Sequence, residues 1–258
     1  MWEEYPEIFT KEHFQGHSGS DQPPELPLGE FEYKAMKGFK GLRYSGEIDG
    51  KSIRVLEDTL NFAKNSNWSV MGLVRNETNS TVGYIVVEAR LMNKEGKEIG
   101  KFRGQSLISS VRPGEPAPFI IKTHILSGEV NAVEWNVFSN NKNNNNSREF
   151  KIITEQEIPF GETTYQGIDR SDPPYNYKLL MSVENYGNAV NDIKVVVAWT
   201  NEKGHVVWIE TVGNLKDGII DSVEKENIVD MYPIEISDKH FGPLAENLIN
   251  KIYWAVGQ

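Results

Sequence analysis

Cysteine is absent from the 258 residues of this sequence, and histidine occurs only five times. The absence of cysteine excludes disulfides, thiolate zinc sites, iron–sulfur clusters and cysteine nucleophiles. It leaves the cellular compartment open, because a chain of this length can bury a core without covalent cross-links.

Long apolar runs are also missing. No stretch approaches about 18 consecutive apolar residues, the length that a membrane-spanning helix requires. The first residues, Met1–Pro6, include acids where a signal peptide has Lys or Arg followed by an apolar segment. The sequence therefore predicts no membrane span in this chain, and it is compatible with an export signal or anchor that was removed.

Excess positive charge is lacking as well. The chain has 27 Lys and Arg against 37 Asp and Glu, which gives a formal net charge of -10. Binding to a phosphate backbone needs a dense Lys/Arg surface, so nucleic acid is disfavoured as a partner. Hydrophobic residues make up 38% of the chain, with 6 Trp, 10 Tyr and 11 Phe. This composition is typical of a soluble globular protein, and the length favours two domains.

An alternation of apolar and polar residues, which is typical of strands with one buried face, occurs twice along the chain. It leads to Asn76 in the first copy and to Asn185 in the second, at the same spacing. The next strands run into two matching turns, Asn93–Gly96 and Asn201–Gly204. Both turns end in Gly, which supplies the positive φ that such a hairpin commonly needs.

A tryptophan in the last alternating strand completes each copy, Trp135 in the first and Trp254 in the second. Between the copies lies a polar, Asn-rich run that cannot contribute to a core. The predicted organisation is an N-terminal extension at 1–50, a first domain at 51–139, a linker at 140–148 and a second domain at 149–258.

The fold class follows from the spacing of the strands. They recur about every 8 to 12 residues in units of about 90 to 110 residues, and no long amphipathic helix interrupts them. The sequence predicts an all-β protein with two tandem immunoglobulin-like antiparallel β-sandwiches and an N-terminal extension.

Three segments of the first copy follow a recognisable order. Gly72–Asn76 reads G-x-V-x-N, Leu91–Gly96 ends a strand in a turn, and Arg112–Phe119 contains P-G-E-x-x-P-F with one further Pro. This order resembles the FxLYD-type immunoglobulin-like domains of archaeal and bacterial proteins over most of residues 51–139. The second copy departs from it at Lys225–Asn227, which stand where the first copy has Pro-Gly-Glu. The resemblance implies a cell-surface or secreted location and a non-catalytic role.

Residues with catalytic or metal-binding potential lack a convincing pattern. His13 and His17 are the one close histidine pair, and solvated histidines explain them better than a metal site does. No Gly-x-Ser-x-Gly nucleophile elbow occurs. Acidic clusters in the second copy match no calcium loop, so acidic surface loops are favoured while Ca²⁺ binding stays open. We expect no enzyme, no catalytic residue, no metal site and no cofactor.

Aromatic residues supply the candidate contacts. The extension carries more large rings than a solvated tail would, and those expected to contact a protein partner are Trp2, Tyr5, Phe9 and Phe14. Trp208 is out of phase with Val207 and Ile209, which predicts that it projects from the other face of its strand beside His205. These two residues and Tyr175 are the candidate ligand contacts, since flat exposed rings can stack on sugars.

The sequence contains four sequons, where chance would give roughly two or three. The candidate glycosylation sites are Asn67, Asn76, Asn79 and Asn145. Taken together, these patterns predict a non-catalytic binding or assembly protein at the surface of an archaeal or bacterial cell, with a protein partner or self-assembly. The alternative is a carbohydrate- or ligand-binding accessory module.

Overall fold

The computed structural model describes residues 43–44, 52–62, 67–139, 148–158, 164–165, 168–169, 176–214, 222–237 and 250–257. These residues are almost entirely extended, with a single 3-10 turn at Ser127–Glu129. The strands are β1 (Arg43–Tyr44), β2 (Ile53–Phe62), β3 (Asn67–Asn76), β4 (Ile85–Met92), β5 (Glu98–Gln105), β6 (Pro116–Leu126), β7 (Ala132–Ser139), β8 (Phe150–Ile158), β9 (Thr164–Tyr165), β10 (Ile168–Asp169), β11 (Asn176–Asn185), β12 (Ile193–Thr200), β13 (Val206–Gly213), β14 (Ile228–Asp230), β15 (Ile234–Ser237) and β16 (Asn250–Gly257).

The prediction of an all-β protein built from antiparallel sheets is confirmed. The chain divides into two compact units. The first comprises the described residues between 30 and 145 together with residues 198–208, the turn end of the β12–β13 hairpin. The second comprises the described residues of 146–197 and 209–258.

The first unit contains two sheets, with strand orders β2-β3-β6 and β1-β7-β4-β5. Apart from the parallel pairing of β1 with β7, every neighbour within these two sheets is antiparallel. Period-2 alternation explains the arrangement, because it places Val133, Trp135 and Val137 of β7 on the buried face.

The later strands repeat this pairing. β8 and the β14/β15 pair flank β11, as β2 and β6 flank β3, and β13-β12-β16 repeats the order β5-β4-β7. The register also matches, because Ile53 lies opposite Asn76 and Phe150 lies opposite Asn185.

Trp135 and Trp254 both point inward, as the alternation predicts, and each is almost completely buried. The Trp135 ring lies 6.4 Å from the Trp68 ring and 6.3 Å from the Phe119 ring, centroid to centroid. At such separations, aromatic pairs contribute beyond the area they bury.

The two hairpin turns are built alike. Asn93 Oδ1 accepts hydrogen bonds from the backbone N–H groups of Glu95 and Lys97, and Asn201 Oδ1 accepts the same pair in the second copy. Gly96 and Gly204 have φ of 75° and 83°, which confirms the predicted need for glycine.

One strand differs between the copies. β6 is continuous, whereas its counterpart is divided into β14 and β15 with Pro233 between them. Pro233 has no N–H to donate to a ladder, whereas β6 contains Pro116 and Pro118 without a break.

The turn before this strand is conserved in geometry although its residues differ. The Asn76 carbonyl accepts a hydrogen bond from Gly114 N–H, and the Asn185 carbonyl accepts one from Glu226 N–H, both at 2.6 Å. Gly114 has φ 76° and Glu226 has φ 65°. A glutamate therefore occupies a left-handed position that favours glycine.

Replacing Glu226 with Gly should stabilise the protein by about 0.5–1 kcal/mol, because it removes the cost of a left-handed L-residue. Gly114→Ala should destabilise it by a similar amount. Nothing lies within 4 Å of a Cβ added at Gly114, so its effect is conformational and not steric. Urea denaturation of both variants measures the difference, and equal signs for the two changes would contradict the assignment.

Candidate interaction surface

Trp208 does not project into solvent, so its prediction as a ligand contact is wrong. Its side chain is 1% exposed, and Val206, Val207, Ile209 and Glu210 around it are also buried. Both faces of β13 are therefore covered, and alternation cannot identify an exposed side. Trp208 lies in the segment 198–208, which forms part of the first unit.

His205 is also buried, which removes the second predicted ligand contact. Its backbone N–H donates to Asn201 Oδ1 at 3.0 Å within the hairpin turn. Burial and the nearby charge of Lys203 lower the pKa of its imidazole, while Asp58 acts in the opposite direction. The backbone of His205 stabilises the turn, and its buried side chain is not accessible to a ligand.

Asn76 is not an accessible glycosylation site, because it is fully buried. Its Nδ2 atom donates to the carbonyls of Ser80 at 2.8 Å and Val111 at 2.9 Å. Its Oδ1 atom accepts from the backbone N–H and the hydroxyl of Thr78. The side chain therefore holds the end of β3 to two other segments, and the amide that a glycan would modify is already engaged.

Asn185 has the same role in the second copy. Its Nδ2 atom donates to the carbonyls of Asn188 at 3.0 Å and Val223 at 2.9 Å, and its Oδ1 atom accepts from Gly187 N–H. We call each of these arrangements an asparagine clamp. The sequence pattern located both asparagines at strand ends but did not reveal that they are buried.

The remaining predicted sites have different outcomes. Asn67 and Asn79 are exposed and stay candidate glycosylation sites. Several predicted residues lie outside the described part of the chain: Trp2, Tyr5, Phe9, Phe14, Asn145 and Tyr175.

A buried carboxylate, Glu88, lies among the polar side chains of the β5-β4-β7 sheet. It accepts hydrogen bonds from Arg103 Nε at 2.7 Å and Asn136 Nδ2 at 3.0 Å. Burial acts to raise its pKa, but these two donors and the charges of Arg103 and Lys101 outweigh it and lower the pKa below the usual 4.5. A general acid would need the opposite shift. The hydrogen bonds of Glu88 link β4 to both neighbouring strands, β5 and β7.

We expect Arg103→Met to cost about 1–2 kcal/mol at pH 7, since it removes a charge-assisted hydrogen bond to Glu88. The lowered folded-state pKa of Glu88 contributes stability that is present above about pH 4.5 and is lost as the pH falls through the lowered value. The difference between wild type and variant should therefore shrink below pH 4.5 in thermal unfolding measured against pH.

Arg90→Met is the matched control, because its partners Glu98 and Glu134 are more exposed than Glu88. Exposed ion pairs contribute about 0–1 kcal/mol. A larger loss for Arg90→Met than for Arg103→Met would contradict the role given to Glu88.

Exposed apolar side chains mark one sheet face of the second unit. Ile228 is 58% exposed, and Tyr186 and Tyr232 are each 44% exposed. Ile228 lies directly opposite Glu184 in the β14–β11 ladder, and the Tyr186 hydroxyl donates to Glu184 Oε2 at 2.5 Å.

The same face continues along β14. Asp230 lies opposite Ser182 and accepts a hydrogen bond from its hydroxyl at 2.8 Å. Tyr232 follows in the break after β14 and is exposed, whereas the intervening Met231 is buried. We call this surface the tyrosine face, defined by Glu184, Tyr186, Ile228, Asp230 and Tyr232.

Hydrogen bonding to Glu184 is the main cause that raises the pKa of the Tyr186 phenol, with burial and the Glu184 charge acting in the same direction. The phenol therefore stays protonated at neutral pH and keeps its ring oriented by the carboxylate. An oriented aromatic ring loses less conformational freedom when it binds a partner.

The first copy has no such surface at the equivalent positions. Glu77 follows the clamp where Tyr186 does in the second copy, and it forms an ion pair with Arg54 at 2.6 Å. The positions of Ile228 and Tyr232 are taken by Pro116 and Ile120, which are only partly exposed. The fold thus forms without large exposed apolar groups here.

No sequence signal distinguished the tyrosine face. Tyr186 comes one residue after the end of β11, and Tyr232 lies in the break beside Pro233, so neither belongs to a clear alternating run. Comparing the two copies position by position could have found Tyr186. Directly after the matched asparagines, the first copy has the charged Glu77 and the second has the aromatic Tyr186.

Within the described residues, no three or more His, Asp or Glu side chains are grouped to hold a metal ion. A search of the same residues for a helix with the length and apolarity to cross a membrane finds none.

Comparisons with known proteins add little. No family model matches the chain, and no curated protein matches it. Among solved structures, Bacteroides uniformis beta-glucuronidase 2 covalently bound to cyclophellitol-6-carboxylate aziridine aligns with 67% of this chain at 8% identity, with a TM-score of 0.18. The alignment covers 22% of that protein's chain, so this chain matches less than a quarter of it.

Proposed function

We propose that this protein is a non-catalytic binding or assembly protein built from two immunoglobulin-like domains. The observation that carries the proposal is the difference between the two copies on one sheet face. The second copy exposes Tyr186, Ile228 and Tyr232, whereas the first has Glu77, Pro116 and a partly covered Ile120. Exposed apolar groups that the fold does not require are typical of a binding site.

The asparagines that bind backbone groups support the same proposal. The clamps at Asn76 and Asn185 and the hairpin asparagines Asn93 and Asn201 all bind backbone groups of their own copy. Polar groups that satisfy the backbone in the same way twice serve the fold and not a reaction. We therefore propose no catalytic activity.

A location at the surface of an archaeal or bacterial cell is part of the proposal. Its support is the resemblance of residues 51–139 to FxLYD-type domains. The exposed sequon residues Asn67 and Asn79 are compatible with it.

Binding of a carbohydrate is the second candidate function. What favours it is the pair of exposed rings, Tyr186 and Tyr232, on one face with the carboxylates of Glu184 and Asp230. Flat rings supply apolar contact area and carboxylates accept hydroxyl donors, as in sites that combine apolar walls with few polar groups.

The test is site-specific photo-crosslinking in the native cells. A benzophenone amino acid at Ile228 should give a discrete crosslinked product with one partner. The control places the benzophenone amino acid at Leu126 instead, because Leu126 is 55% exposed and lies in the first unit. If neither position yields a product and the purified protein stays monomeric, the proposal of a binding role is wrong.

A further inference from the structure

We propose that the tyrosine face docks a cationic polypeptide segment that carries apolar side chains. This inference rests on the proposed function and adds the chemistry of the partner. It assigns the apolar part of the contact to Tyr186, Ile228 and Tyr232, and the electrostatic part to Glu184 and Asp230.

The spacing of the face suits an extended segment. Successive outward positions on a strand are about 7 Å apart. Ile228 and Asp230 are successive outward positions on β14, and Tyr186 and Tyr232 come one and two residues beyond the ends of β11 and β14. Four positions at this spacing give a row of about 20 Å. An extended chain of about six residues has the same length.

The charges select a cationic partner. Glu184 and Asp230 each use one carboxylate oxygen to accept the bonds from Tyr186 and Ser182. These bonds fix both carboxylates in place, and their other oxygens, Glu184 Oε1 and Asp230 Oδ2, are the acceptors for Lys or Arg. The adjoining segments 148–151 and 222–227 together carry three cations, Arg148, Lys151 and Lys225, and three acids, Glu149, Glu224 and Glu226. The excess negative charge of the face therefore comes from Glu184 and Asp230, with Lys151 opposite Glu184 across the β8–β11 ladder.

The net charge of the chain argues against a second copy as the occupant. The chain carries a formal charge of -10, so a copy brought to this acidic face meets repulsion. A basic segment of another protein gains from the same field, both in affinity and in association rate.

The corresponding face of the first unit is covered at two positions of β3. On β3, Met71 and Leu73 point to the same side as Leu180 and Ser182 do on β11, and both are buried. In the second unit Ser182 on this side is also buried, and the exposed groups are Tyr186, Ile228 and Tyr232. These three groups distinguish this side of the second unit from the first.

Fluorescence anisotropy with the full-length protein tests the inference. The probe is a short fluorescein-labelled peptide of alternating Lys and Leu, with Glu/Leu and Lys/Ser peptides as comparisons. We expect the Lys/Leu peptide to bind best and to weaken as salt is raised. The double variant Glu184→Gln with Asp230→Asn should weaken binding about tenfold or more, and Ile228→Thr should weaken it about fivefold.

Matched controls keep the result specific. Glu95→Gln with Glu129→Gln removes the same charge from exposed sites of the first unit, and Leu126→Thr removes a similarly exposed apolar group. Both controls should change affinity by less than about twofold. The inference is overturned if the controls weaken binding as much as the tyrosine-face variants, if the Glu/Leu peptide binds equally well, or if a neutral oligosaccharide binds at this face and the Lys/Leu peptide does not.

The two proposals fail in different ways. If a native partner crosslinks at Ile228 but binds the Glu184→Gln, Asp230→Asn variant with full affinity, the inference about charge is wrong and the binding function stands. If no partner crosslinks and the protein is monomeric, the binding function itself is wrong.

Discussion

Trp135→Ala should destabilise the protein by about 3–5 kcal/mol, the range for removing a buried large aromatic side chain. Trp135 is almost completely buried and contacts the rings of Trp68 and Phe119. Its removal leaves a cavity that the two flanking sheets cannot close. Trp254→Ala should have a similar effect, because Trp254 has the equivalent position in the second copy. Urea denaturation monitored by circular dichroism measures both.

Phe138→Ala is the control on the same strand. Phe138 lies on the opposite side of β7 from Trp135 and is partly exposed. The Cζ atom of Arg103 lies 5.7 Å from the centroid of the Phe138 ring. Its loss should cost about 1 kcal/mol or less. If Phe138→Ala proved as costly as Trp135→Ala, the inward and outward positions of β7 would be assigned wrongly.

Asn76→Ala should destabilise the protein by about 2–3 kcal/mol, because it leaves the buried N–H of Thr78 without its acceptor and removes two donors to carbonyls. Asn185→Ala should cost a similar amount for the same reason. Thermal unfolding followed by calorimetry measures both losses.

Asn79→Ala and Asn188→Ala are the controls for the two clamps, since both side chains are exposed. Each should change stability by about 0.5 kcal/mol or less. If the Asn76→Ala variant were as stable as the wild type, the asparagine clamp would contribute nothing to stability. Asn76→Asp adds a discriminating case, because it keeps the acceptor for Thr78 but loses the amide donors, and its loss should be comparable to that of Asn76→Ala.

The elements that sequence reasoning located share one property, which is that local sequence determines them. Alternation over five or more residues placed Trp135 and Trp254 inward, and the need for positive φ placed Gly96 and Gly204 in turns. These effects depend on residues near in sequence, so the pattern is sufficient.

The features that sequence reasoning missed depend on what covers each face. Trp208 points to the opposite side of β13 from Val207 and Ile209. Both sides of that strand are buried, so the alternation pattern does not predict which side chains are exposed. Glu226 takes a left-handed conformation because the surrounding clamp turn imposes it, although its residue type predicts otherwise. Tyr186 and Ile228 are exposed because no described residue covers them. Such coverage is a tertiary property and leaves no local sequence signal.

The short parallel pairing of β1 with β7 has a consequence for self-association. In the sheet order β1-β7-β4-β5, residues 43–44 occupy the outer side of β7 opposite Asn136 and Val137. Two paired residues add little to the free energy of folding, but they occupy backbone groups that another molecule's strand could otherwise join. The pairing therefore matters most for colloidal stability at high concentration, because an open strand edge promotes aggregation. It should have almost no effect on the melting temperature.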